Sequence, residues 1–131
     1  MIEDLDNTIA ELLKTNLPDE LVEPTAATPL TISFATPDSA FPGTADELPA
    51  INFFLYDIRE NMELRSNERQ IERQNGTIIQ HLPPVRVDCS YLITAWSKST
   101  DKPALEEHRL LGAVMKVLLR YRTYPEKILQ G

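Results

Sequence analysis

Few side chains in this sequence could carry acid, base, nucleophilic or metal chemistry, and their spacing keeps them apart. Cys89 is the only thiol, so no internal disulfide can form. It sits in the alternating apolar stretch Val85–Tyr91 with no histidine nearby in sequence to activate it, which predicts a buried thiol behaving as a small hydrophobe. His81 and His108 are isolated from each other and from Cys89, and neither has the spacing of a metal ligand. His81 reads as a polar residue at the end of a ribbon, and His108 as a helix-surface residue or one that pairs with a partner. The carboxylate pairs Asp19-Glu20, Asp46-Glu47 and Glu106-Glu107 are sequence neighbours that point in divergent directions, so none makes a shared acid/base site. Glycine occurs only at Gly43, Gly76, Gly112 and Gly131, too few and too scattered for a phosphate-cradling loop or a dinucleotide fingerprint. These residues predict no catalytic group, no metal and no cofactor, and hence no enzyme.

The elements that would position these groups are legible from periodicity. Ile2, Leu5, Ile9, Leu12 and Leu13 recur at three- and four-residue steps, which predicts an amphipathic helix from Ile2 to about Asn16 that Pro18 stops. Six prolines between Pro18 and Pro49 break any long element, leaving room for one short strand at Leu30–Phe34. Ile51–Ile58 is aromatic and branched, apolar on both faces towards its middle, and predicts a central strand covered on two sides. Asn75-Gly76 is a hairpin turn signal followed by a return strand at Thr77–Leu82. Val85 to Trp96 alternates over what should be the longest strand. The strand aromatics Phe53, Phe54, Tyr56, Tyr91 and Trp96 are expected in the core. Ser99, Thr100 and Asp101 offer capping oxygens ahead of Pro103, which suits a first helical turn, and Leu110, Leu111, Val114, Val117, Leu118 and Tyr121 continue a second helix. The expected fold class is α+β: a small, mainly antiparallel sheet packed with an N-terminal and a C-terminal helix, in a single domain over 1–131.

Charge adds what chemistry does not. The 131-residue chain, 14.9 kDa, has a net charge of −7, which argues against general nucleic-acid binding. No run approaches the roughly 18 to 20 apolar residues that span a bilayer, and Met1-Ile2-Glu3-Asp4 lacks a signal peptide's basic start, so the expected site of synthesis is the cytoplasm without membrane insertion. Residues 1–50 hold ten acids and one base, Lys14, while residues 51–131 hold ten acids and twelve bases. Identical subunits could stack such faces through complementary fields. The stretch Arg59 to Gly76, with Arg59, Arg65, Glu68, Arg69 and Arg73, is too charged for a core and reads as a ribbon that either reaches a neighbour or stays in solvent. Arg120 and Arg122 crowd the end of the second helix, where the dipole also favours positive charge. These seven residues are the candidate contacts with a neighbouring subunit or other partner. The closing stretch Tyr124–Gly131 carries Ile128 and Leu129, which either dock on the body or a partner or mark a chain that continues.

Three ordered stretches carry a family resemblance: Leu48–Asn61 (LPAINFFLYDIREN), Pro83–Trp96 (PPVRVDCSYLITAW) and Glu107–Gly112 (EHRLLG). Together with the first helix they resemble a family long catalogued as a domain of unknown function, whose better-studied members are caps, or tail terminators, of extracellular phage-tail-like contractile injection systems. The resemblance implies a phage tail-terminator-like fold and a structural cap: a six-fold homo-oligomeric ring that closes the distal end of the inner tube, contacts the last sheath layer and stops polymerisation. It also implies incorporation into the injection particle, with tube and sheath proteins as partners, and members that often run on past the position of Gly131. The alternatives are a baseplate or other phage-like morphogenesis protein, or a peptide-binding adaptor module.

Overall fold

The computed structural model describes residues 1–22, 29–38, 47–64 and 70–130. In chain order the elements are helix α1 (Ile2–Asn16), the one-turn helix α2 (Asp19–Val22), strands β1 (Thr31–Ser33), β2 (Ala50–Glu60), β3 (Gln70–Gln74), β4 (Thr77–His81) and β5 (Val87–Trp96), helix α3 (Pro103–Arg120) and a 3-10 turn at Glu126–Ile128. The chain is α+β, and it divides into two compact units, Met1–Phe54 with Leu92–Gly131 and Leu55–Tyr91.

The first unit holds the core. On α1, Thr8, Ile9, Leu12 and Leu13 are buried, the apolar face that the three- and four-residue spacing dictates. Leu110, Val114 and Val117 of α3 are buried in turn, and the two helices pack together. Ala50, Ile51, Asn52 and Phe53 at the start of β2 are all buried, so both faces of the strand are covered there, as a central strand requires. A fully buried Phe53 contributes about 1.5–3 kcal/mol relative to an exposed one, and its ring stacks on Phe34 with centroids 5.5 Å apart. The end of the chain docks on α1: Ile128 is buried, and the Gln130 amide donates to Thr8 Oγ1 at 3.1 Å.

The three-stranded sheet has the order β1-β2-β5, with β2 in the centre. Its β1–β2 pair is parallel, in the register Thr31 to Ala50, Ile32 to Ile51 and Ser33 to Asn52, where the sequence suggested mainly antiparallel order. Parallel neighbours need a long crossover, and the proline-broken chain between β1 and β2 provides the length. The peptide between Leu48 and Pro49 is cis. At β2, with eleven residues to the ten of β5, lies the longest strand, because pairing runs through Arg59 and Glu60. Past Ser33, the Asn52 side chain continues the β1 ladder by accepting from the Ala35 amide at 3.0 Å and donating to the Ala35 carbonyl at 2.9 Å. A buried polar side chain with both halves of its amide engaged carries no desolvation debt.

The expected cap of α3 takes another form. Lys102 occupies the N-cap position and no side chain caps the helix there. Instead the first-turn carboxylates reach back to the strand: Ser97 Oγ donates to Glu106, and the Ser97 amide donates to Glu107 Oε1 at 3.3 Å. Negative charge in the first turn suits the helix dipole as well as an uncharged cap would.

In the second unit, β3 and β4 form an antiparallel hairpin from Gln70 opposite His81 to Gln74 opposite Thr77. Asn75 (φ 48°) and Gly76 (φ 80°) both take the left-handed region, the conformation a two-residue primed turn demands and the reason for Asn-Gly there. Asn61 ties the strand ends: its amide donates to the Arg86 carbonyl at 2.8 Å, and its Nδ2 to Asp88 Oδ1 at 3.1 Å. Three expectations fail in this unit: Tyr56 is 62% exposed and not a core aromatic, and Tyr91 and Cys89 are half-buried and not enclosed. The burial along the strands accounts for this, since β2 emerges from its buried start into solvent by Tyr56, and β5 starts exposed at Val87 and Asp88 and is only half-covered at Cys89.

Candidate assembly interface

Two surfaces stand out, one on each unit. On the second unit, Met62, Leu64, Ile71, Ile78 and Val85 are each more than half exposed. The hairpin register puts Ile71 opposite Gln80 and Arg73 opposite Ile78, and cross-strand partners share a face, so Ile71 and Ile78 lie diagonally on one side with Arg73 between them. A two-stranded ribbon is marginal in water without something to pack on. The ribbon is therefore less purely charged than the sequence suggested, and its branched apolar side chains face solvent.

Of the sequence-predicted contacts, Arg59 lies near the end of β2, exposed, with its Nε 2.7 Å from Asp57 Oδ2; the structure gives it a partner two residues away on the same face. Arg73 is exposed on β3. Arg65, Glu68 and Arg69 fall outside the described residues. Arg120 is the last residue of α3, and Arg122 is exposed just beyond it.

On the first unit, α3 and the end of α1 border a groove of about 450 Å³. His108, Arg109, Lys116 and Arg120 line it, and Ala113 and Val117 contribute its apolar floor. Its far edge is Asn16 and Pro18. His108, Gly112, Lys116 and Arg120 follow one another at four-residue steps, one stripe of a helix, and a side chain starting at Gly112 would meet nothing within 4 Å. Glycine thus leaves a notch in a basic stripe. Of this site, sequence reasoning named only Arg120 as a contact and marked His108 as a possible pairing residue. The four-residue recurrence from His108 to Arg120 is the available signal for the rest, obscured by the stronger apolar periodicity of the same helix.

Among the described residues, no three His, Cys, Asp or Glu side chains come together in a way that could hold a metal ion, and no helix is long and apolar enough to cross a membrane. What the described residues offer is surface: an exposed apolar-and-arginine ribbon and a basic groove.

No curated protein matches this chain significantly. A solved structure described as the sheath/tube terminator of PVC, an extracellular contractile injection system, in its extended state, matches with a TM-score of 0.64 and 26% identity. The match covers 100% of this chain and 42% of that one, so the chain spans less than half the length of the terminator it resembles. The family model described as the Pvc16 N-terminal domain matches residues 4–131, and the chain belongs to that family.

Proposed function

We propose that this chain is a structural tail terminator of a contractile injection particle, one tail-terminator-like domain whose copies form a six-fold ring on the last layer of the inner tube. The observation that carries the reading is the similarity of the whole of this chain to 42% of a sheath/tube terminator, at 26% identity and a TM-score of 0.64. In this role the protein binds tube and sheath proteins, stops polymerisation, and works without catalysis or cofactor. It is made in the cytoplasm and incorporated into the particle.

The second unit supplies the arm. Its ribbon, with Arg59, Arg65, Glu68, Arg69 and Arg73, reaches a neighbouring subunit or the last sheath layer, and Arg120 and Arg122 add contacts from the end of α3. Exposed ion pairs contribute only about 0–1 kcal/mol each, so the exposed Ile71 and Ile78 supply apolar area and the arginines supply register. Reversing Arg69 and Arg73 together weakens assembly while leaving the monomer folded; normal rings from that variant remove the arm from the reading.

The test of the role is localisation. Particles carrying a labelled copy of this chain, viewed by electron microscopy, show the label at the end of the tube away from the baseplate. Label at the baseplate end would replace the terminator reading with a baseplate role.

A further inference from the structure

We propose that the basic groove on α3 is the docking site for the exposed acidic face of α1, at Glu3 and Glu11, from a second copy of this chain. The inference rests on the ring reading and gives it a specific joint.

The groove's charge is not accounted for within one copy. His108, Arg109, Lys116 and Arg120 line it, no acidic residue does, and none of the three permanent cations forms an ion pair with a described residue. The helix dipole explains Arg120 in the last turn but not Arg109, which lies in the first half of Pro103–Arg120, where the dipole is indifferent to positive charge or opposes it. The apolar floor of Ala113 and Val117 and the notch at Gly112 give the groove depth for side chains.

The complementary surface lies on α1. Glu3 and Glu11 are exposed on one stripe, eight residues apart, and neither forms an ion pair with a described residue. Asp4, beside them, holds the amino terminus at 2.8 Å. Asn16 borders the groove at the other end of the same helix, thirteen residues from Glu3, which is about 20 Å at 1.5 Å per residue. Glu11 lies nearer, five residues from Asn16, yet neither carboxylate pairs with a groove residue within one copy, and each copy presents both surfaces. Two different patches of one chain make a heterologous, head-to-tail contact, the kind that closes into a ring when its rotation permits. A protein carboxylate fits better than a phosphate backbone, because the chain's net charge of −7 repels a polyanion as a whole.

The test is a charge swap read by light scattering behind a sizing column, with circular dichroism to verify folding. The wild-type chain self-associates; Lys116→Glu/Arg120→Glu and Glu3→Lys/Glu11→Lys each weaken association by about tenfold or more; the four substitutions together restore it. A strictly monomeric wild type would overturn the ring reading and this joint with it. Undiminished association of the Lys116/Arg120 variant would overturn the groove alone. Loss in both double variants without rescue in the quadruple one would overturn α1 as the occupant.

Discussion

Tyr121 donates its phenol hydroxyl to Asn16 Oδ1 at 2.8 Å, joining the end of α3 to the end of α1 across 105 positions of sequence. Asn16 in turn donates its Nδ2 to the Leu12 carbonyl at 2.9 Å, so its amide is held from both sides. One edge of the groove is fixed by this pair. Tyr121→Phe keeps the ring and removes only the hydroxyl, and it should cost about 0.5–1.5 kcal/mol in urea unfolding. An unchanged midpoint would mean that the bond adds nothing to the helix pairing.

Asn52 is a second such tie. Asn52→Ala leaves both the amide and the carbonyl of Ala35 without their partner beside a fully buried strand position. A loss of about 1–3 kcal/mol is expected. Asn52→Asp keeps the acceptor, loses the donor and buries a charge, so its loss should be at least as large at neutral pH, measured by the same denaturation.

Gly112 sits within α3 with open space over it. Replacing a helix-interior glycine with alanine reduces the entropy lost on folding, so Gly112→Ala should stabilise the chain by about 1 kcal/mol and raise its melting temperature. Gly112→Leu would fold as well and fill the notch, and it should weaken self-association where the alanine variant does not. Equal association of the two would show that the groove takes no partner.

Burial pushes the Tyr124 phenol above the ordinary value of 10.0. A raised value in the folded state means the unfolded chain gives up this proton first. The contribution is whole below the ordinary value and is lost as pH rises through the folded one. Stability measured by denaturation should therefore fall at alkaline pH, and Tyr124→Phe should fall less steeply. Parallel alkaline profiles for the two proteins would remove Tyr124 as a cause.

The fold was most legible where a single period dominates. The apolar steps from Ile2 to Leu13 and the stop at Pro18 give α1 its observed bounds, and Asn75-Gly76 gives the turn, because each depends on local backbone geometry. Ile51–Ile58 read correctly as a central strand, but its covered part is the start, Ala50–Phe53, and not the middle. What stayed hidden depends on distant partners. The parallel pairing of β1 with β2 leaves no mark in either strand, and Asn52 looks like an interruption until Ala35 is placed beside it. Tyr56 carries the same aromatic signal as Phe53, and only its distance along β2 from the covered end separates them. The terminator family was legible from three ordered stretches, whereas the groove was not, since His108, Lys116 and Arg120 resemble an ordinary solvated helix face until Gly112 and Pro18 give it walls.

The Asn75-Gly76 turn has a practical use. It holds its left-handed conformation through its own two residues, and nothing lies within 4 Å of the place where a Gly76 side chain would begin. Exposed turns of small residues are where chains accept added sequence with least disturbance. A short biotin-acceptor or gold-binding peptide spliced in after Gly76 would extend a loop and leave the ladder from Gln70 to His81 intact, giving each copy a beacon by which its position could be read in an electron micrograph.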